Sequence, residues 1–289
     1  MREGEAFELP FEVEKALKAL LAHRLIVKKD DGSLQASTLG EVAAFKGIRA
    51  STAAKIAQFL DAARERAVDD LEVLHLLGLT EDGKGLYLNM STAEQWSRTY
   101  EKMLAEVVQD SAGRLGEDLA QLVNPKLMLT YQEARLLKLA LLLADWIQGE
   151  NLSALEGKYQ CYAGTIKGLA EEVSWLANAA AGIAEVLGCD PVLIKRLSSL
   201  ADRLTFGVEV SCVELACLRV RGLGREKVKA LARAGFDSRA AIQEADVKEL
   251  AKVLAEEVAL RLKEVVRPAT LTSSTLIEKT FQRRRSSVT

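Results

Sequence analysis

The chain has 289 residues, 49% of them apolar and 28% charged, with a net charge of −2. That length suits one large domain or two to three small ones, and the apolar share supports a sizeable core. The near-neutral balance excludes a surface that attracts polyanions everywhere, so any nucleic-acid contact must come from a local basic patch.

Four prolines and an excess of Ala, Leu, Glu, Lys and Arg favour helix throughout. Residues 11–26 place apolar side chains at helical spacing. Asp31-Gly32 then signals a hairpin turn between short extended arms. TLGEVAAFKGI and STAAKIAQFL read as short helices, the second capped by Ser51. Helix, hairpin and further helices over residues 1–62 suggest a winged-helix module.

From residue 63 to 206 the pattern is helical. TAEQWSRTYEKMLAEVVQDS reads as one helix from a Thr92 cap, and TYQEARLLKLALLLADWIQG as one ending at Gly149. A long helix at about 165–187 and one led by Pro191 follow. Apolar-faced helices with short connections imply a bundle. Residues 207–266 read as shorter helices joined by glycine turns, the last being VKELAKVLAEEVALRLKEVV. The tail, residues 267–289, is rich in Ser, Thr and Arg and reads as disordered and basic. The fold class expected is mainly α.

GLTEDGKG, from Gly78 to Gly85, has the spacing of a phosphate-binding P-loop. Gly85 stands where a magnesium-binding hydroxyl is needed, and helix rather than strand precedes it, so a polar turn is expected. The cysteines Cys161, Cys189, Cys212 and Cys217 form no CxxC pair, and His23 and His75 do not complete a zinc or acyl-transfer constellation. The chain alone is therefore expected to be non-catalytic, with no cofactor and no metal. Scattered cysteines without a signal peptide indicate a cytoplasmic setting. LLKLALLLADWI is too short and interrupted to span a bilayer, so no membrane role is expected.

Two features can bind nucleic acid. The first is CLRVRGLGREKVKALARAG, in which Gly222-Leu223-Gly224 separates two helical flanks. Glycines let backbone N–H groups approach a phosphate, and the positive end of the second helix starts there. Arg221, Arg225, Lys227 and Lys229 add a salt-sensitive, sequence-independent attraction. The alternative is a helical corner with solvated charges; the basic cluster and the following AGF turn favour phosphate. This element resembles the helix-hairpin-helix of DNA repair proteins.

The second is Trp175. On an ideal helix Ile166, Leu169, Ala170, Val173, Ala177, Ala180, Ala184 and Leu187 form one stripe, and Trp175 falls roughly opposite. Gly168 and Gly182 lie on its own line. The ring either stacks a nucleic-acid base or packs against another domain. Trp96 and Trp146, in apolar-rich stretches, are expected to pack inside.

In chain order these pieces resemble a known family. TLGEVAAFKGIRASTAAKIAQFL resembles the end of the winged helix of Ski-like superfamily-two helicases. The block from Asp145 to Phe236 resembles their ratchet-helix region, the end of the seven-helix bundle and the helix-hairpin-helix domain. The likeness is to archaeal fork-repair DNA helicases, related to the helicase half of DNA polymerase theta.

The resemblance implies an accessory, strand-guiding region of a 3′–5′ DNA helicase. Single-stranded or forked DNA would be its ligand, and ATP and Mg would bind RecA-like motor domains in cis or in trans. Walker A, DEAH-type and arginine-finger motifs are not found in this chain, which therefore reads as a C-terminal piece of such a helicase or a separately encoded chain. The family's ratchet aromatic corresponds to Trp175, and its basic partner would fall on Gly168, a departure. Lys167 is adjacent but projects about 80° away from Trp175 on an ideal helix. An alternative is a protein-interaction scaffold, like related modules of spliceosomal RNA helicases.

Overall fold

The structure is a computed structural model and describes residues 5–111 and 115–267. The protein is mainly α, and the only sheet among the described residues is one two-stranded hairpin. The chain divides after Val210 into two compact units.

The first unit opens with α1 (Glu5–Ala22) and the strands β1 (Ile26–Lys28) and β2 (Leu34–Ala36), paired antiparallel with Val27 opposite Gln35. Gly32 takes φ +83° at the turn, where Asp31 accepts the Ser33 N–H. Helices α2 (Thr38–Lys46) and α3 (Ala50–Ala62) follow, so helix, hairpin and two helices succeed one another in the expected order. Ser37 caps α2 by accepting the Gly40 N–H at 3.0 Å. Ser51 does not cap α3. The Arg49 N–H is held instead by the Asp82 carboxylate at 2.9 Å, a partner more than thirty residues further along.

That partner belongs to the GLTEDGKG segment, which is a turn closing helix α4 (Asp70–Leu79). The Thr80 hydroxyl accepts from Gly83 N–H at 3.0 Å, and a Cβ on Gly83 would lie 2.0 Å from the Leu77 carbonyl oxygen. The loop thus folds onto its own helix and leaves no room to wrap a phosphate.

The expected single helix after residue 92 is two, α5 (Thr92–Trp96) and α6 (Thr99–Asp110). Ser91 rather than Thr92 is the cap, in a capping box with Glu94. The chain breaks at Arg98, at φ +53°, where the guanidinium donates to the Pro125 and Asn124 carbonyls. Helix α7 (Glu117–Gln121) precedes α8 (Tyr131–Ile147), which Thr130 and Glu133 cap and Gly149, at φ +80°, follows. Then come α9 (Leu152–Tyr159), α10 (Ala163–Val186) and α11 (Pro191–Phe206).

Helix α10 is the centre of this unit. Its expected stripe is buried from Ile166 to Ala184, and Leu176, Ala179, Ala181 and Ile183 are buried too, so a wide arc is covered. Its alanines allow close approach by α11 along its length and by α2, α3 and α4. Asp70 at the start of α4 ties this layer to α11 by accepting from Arg196 at 2.7 Å and from the buried Arg203.

Lys138 of α8 lies wholly inside. Its ammonium donates to the Asn89 carbonyl at 2.7 Å and to the Glu94 carboxylate at 2.8 Å, and the Tyr100 hydroxyl also donates to Glu94. Tyr100 stacks on Tyr159, whose hydroxyl donates to Asp145 at 2.7 Å. Burial works to raise the Glu94 pKa, but hydrogen bonds from Lys138, Tyr100 and Ser91 outweigh it and hold the carboxyl down at about 2. Burial and these same carboxylates push the Tyr100 and Tyr159 phenols up.

The second unit contains α12 (Val213–Cys217), α13 (Arg225–Arg233), α14 (Arg239–Glu244), α15 (Val247–Leu250) and α16 (Glu256–Val266) around Leu215, Val228, Leu231, Ile242, Leu250 and Leu262. Ser238 caps α14. The expected final helix is two, because the chain turns over residues 251–255 before α16 begins. The expected tail lies outside the described residues from 268 onwards.

Candidate nucleic-acid interface

The two predicted features fall one in each unit. In the hairpin, Gly222 sits at φ +90°, and a Cβ there would come within 3.0 Å of Val258 Cγ2. Conformation and space both require glycine at that position. Gly224 is different. It stands at the N-cap of α13 with φ −84°, and nothing lies within 4 Å of where its Cβ would be. Its missing side chain leaves the backbone open at the start of a helix that no side chain caps. That is the arrangement in which a helix end attracts an anion.

The four basic residues do not form one patch. Arg221 and Lys227 are exposed, and the Lys227 ammonium donates to the Gly222 carbonyl at 2.8 Å. Arg225 is largely covered, and its guanidinium lies 3.4 Å from Glu226. Lys229 is a correction: it is buried, with its ammonium 3.2 Å from Glu226. It follows Val228 on the face that α13 buries, and the acid one turn earlier supplies its partner. A further exposed cation beside the hairpin is Arg261 of α16, whose guanidinium donates to the Arg221 carbonyl at 3.3 Å. It lies forty positions from the hairpin in sequence, so spacing held no signal for it.

Trp175 does not project freely. Its side chain is 37% exposed, and its indole N–H donates to the Lys46 carbonyl at the end of α2 at 2.7 Å. The Lys46 ammonium in turn bonds Asn178, one turn along α10. A Cβ on Gly182 would be 3.2 Å from Lys46 Cε, so α2 fills that end of the small-residue line. At the other end nothing lies within 4 Å of Gly168, and Lys167 beside it is exposed. One part of the ring thus packs on the end of α2, and the rest is open to solvent.

Phe45, 87% exposed and adjacent to Lys46, is a second aromatic here, and apolar residues on both sides of α2 hid it from a pattern reading. Trp146 is buried as expected, its N–H on the Leu204 carbonyl at 2.8 Å. Trp96 is not: it is 70% exposed, because the break at Arg98 ends its helix early.

Among the described residues no group of His, Cys, Asp and Glu is placed to hold a metal ion, and no helix is long and apolar enough to cross a membrane.

Residues 71–207 match the family described as archaeal helicase, domain 4, and residues 214–267 match the SAM-like helix-hairpin-helix tandem. The chain is 27% identical over 247 residues to the ATP-dependent DNA helicase Hel308 of Methanocella arvoryzae, an alignment covering 85% of this chain and 32% of that protein. It is 28% identical over 116 residues to Hel308 of Caldivirga maquilingensis, covering 40% of this chain and 15% of that one. With Hel308 of Aeropyrum pernix the identity is 25% over 162 residues, covering 56% and 20%. The chain thus spans about a third of the length of the first of these relatives and less of the others. The chain is thus similar to archaeal helicase domain 4, then to a helix-hairpin-helix tandem, and over most of its length to part of the Hel308 helicases.

Proposed function

We propose that this chain is the accessory DNA-binding and strand-guiding region of an ATP-dependent 3′–5′ DNA helicase acting in replication-fork repair. Its ligand is single-stranded or forked DNA, and RecA-like motor domains act with it in cis or in trans. One observation carries this reading: the open backbone at Gly224, where an uncapped helix starts between Arg221 and Lys227, follows directly on an archaeal helicase domain. Contacts of that kind grip phosphate without reading bases. Trp175 and Lys167, on the open part of α10, guide the strand, and ring stacking supplies the base contact.

The test is fluorescence anisotropy with single-stranded and forked oligonucleotides over a range of salt. Trp175→Ala weakens binding by about 1–3 kcal/mol. Trp175→Phe retains most of it, because the ring stays and only the bond to Lys46 is lost. Neutralising Arg221 and Lys227 together flattens the salt dependence by about 1.4 in logarithmic slope, since each single-strand phosphate contact accounts for about 0.7. No binding at low salt by the folded protein would sink the proposal.

A second reading, a protein-docking scaffold, is favoured by the exposure of Tyr87, Trp96 and Met128, at 70%, 70% and 69%. It requires a protein partner that binds while the chain ignores nucleic acid.

A further inference from the structure

The helix-hairpin-helix tandem is built from two unequal hairpins. The turn of the second, residues 251–255, reads AKVLA and contains no glycine. Helix α16 starts after it at Ala255 without a side-chain cap, and Glu256 and Glu257 occupy its first turn. Two carboxylates already sit at the positive end of this helix, where they repel a phosphate. One turn on, Val258 packs against Gly222 of the first hairpin, so α16 is fastened to the glycine turn.

Arg261 completes that attachment. Its Nη1 donates to the Arg221 carbonyl at 3.3 Å, and its Nη2 lies 3.1 Å from Glu257. Lys227 donates to the next carbonyl, that of Gly222, at 2.8 Å. Two successive carbonyls of the turn therefore each hold a cation, one from α13 and one from α16. The side chains of Arg261 and Glu257 are 45% and 82% exposed. An ion pair that open to water is weak and readily exchanged. A guanidinium has five N–H donors, and a phosphate oxygen can take the place of Glu257 without disturbing the bond to Arg221.

We infer that the second hairpin does not itself grip phosphate and that its helix lends Arg261 to the first hairpin as a further phosphate contact, with Glu257 as the competing carboxylate. This rests on the first hairpin being a phosphate grip.

The experiment measures binding of a fluorescent oligothymidylate by the full chain as a function of salt, with melting curves to confirm folding. Arg261→Gln weakens binding several-fold at low salt and lowers the logarithmic salt slope by about 0.7. Glu257→Gln tightens binding, because it removes the competitor. Lys252→Gln, in the turn of the second hairpin, leaves the slope unchanged. Should Arg261→Gln fail to fold, Glu257→Gln and Arg261→Lys decide, with tightening in the first and a retained slope in the second expected.

If Arg221→Gln and Lys227→Gln lower the slope while Arg261→Gln does not, the inference is wrong and the proposed function stands. An effect of Lys252→Gln equal to that of Arg261→Gln also overturns it, since the second hairpin would then be binding. If none of these changes alters binding, the first hairpin is no phosphate grip and the inference falls with that reading.

Discussion

Glu94→Ala destabilises the first unit by about 3–5 kcal/mol in urea unfolding, the expected cost of leaving a buried charge without its counter-ion. Lys138 is buried, and after the change its ammonium keeps the Asn89 carbonyl but loses its carboxylate partner. The same substitution removes half of the Ser91 capping box and the acceptor of the Tyr100 hydroxyl. Replacing both members of the pair, as Lys138→Met with Glu94→Gln, costs less than Glu94→Ala alone, because no uncompensated charge remains.

The pair also sets an acid limit. Glu94 is held at about 2 against an ordinary value of 4.5, so the unfolded chain takes up this proton at a higher pH than the folded one. The group's contribution is complete above 4.5 and is lost as the pH falls through about 2. Glu94→Gln flattens the stability profile across that window, which unfolding at a series of acid pH values measures.

Gly207→Ala costs about 2–4 kcal/mol, combining a left-handed backbone penalty with overpacking. Gly207 ends α11 at φ +65°, and an added Cβ would lie 2.3 Å from Trp146 Cζ2. The indole has little freedom to retreat, since its N–H donates to the Leu204 carbonyl at 2.8 Å and the side chain is buried. Gly188→Ala is the control. It has a similar φ of +64° with nothing within 4 Å, so it shows the backbone penalty alone, about 1 kcal/mol. Equal melting temperatures for the two variants would refute the steric argument.

Much of this was legible from local chemistry. Gly32, Gly149 and Pro191 mark the turns and helix ends where they were expected, because each acts within a few residues of itself. The misses share the opposite property. The α3 start is satisfied by Asp82, the break at Arg98 by carbonyls of residues 124 and 125, and the Trp175 indole by Lys46. No glycine or proline announces the break at Arg98 or the turn before α16, so periodicity ran through both. Lys229 shows the same limit at the site: its charge was visible in the sequence, whereas its burial follows from the tertiary placement of Val228 and Leu231.

The bond from Trp175 to Lys46 joins positions 129 residues apart. Around it, α2 and α3 cover part of the alanine-rich surface of α10. Closing so long a loop is entropically costly unless many contacts form together. Residues up to 210 are therefore expected to melt in a single cooperative transition, with α2 and α3 lost at the same temperature as α8, α10 and α11. A truncation that removes α2 and α3 would bare apolar surface on α10, and the shortened protein would tend to aggregate.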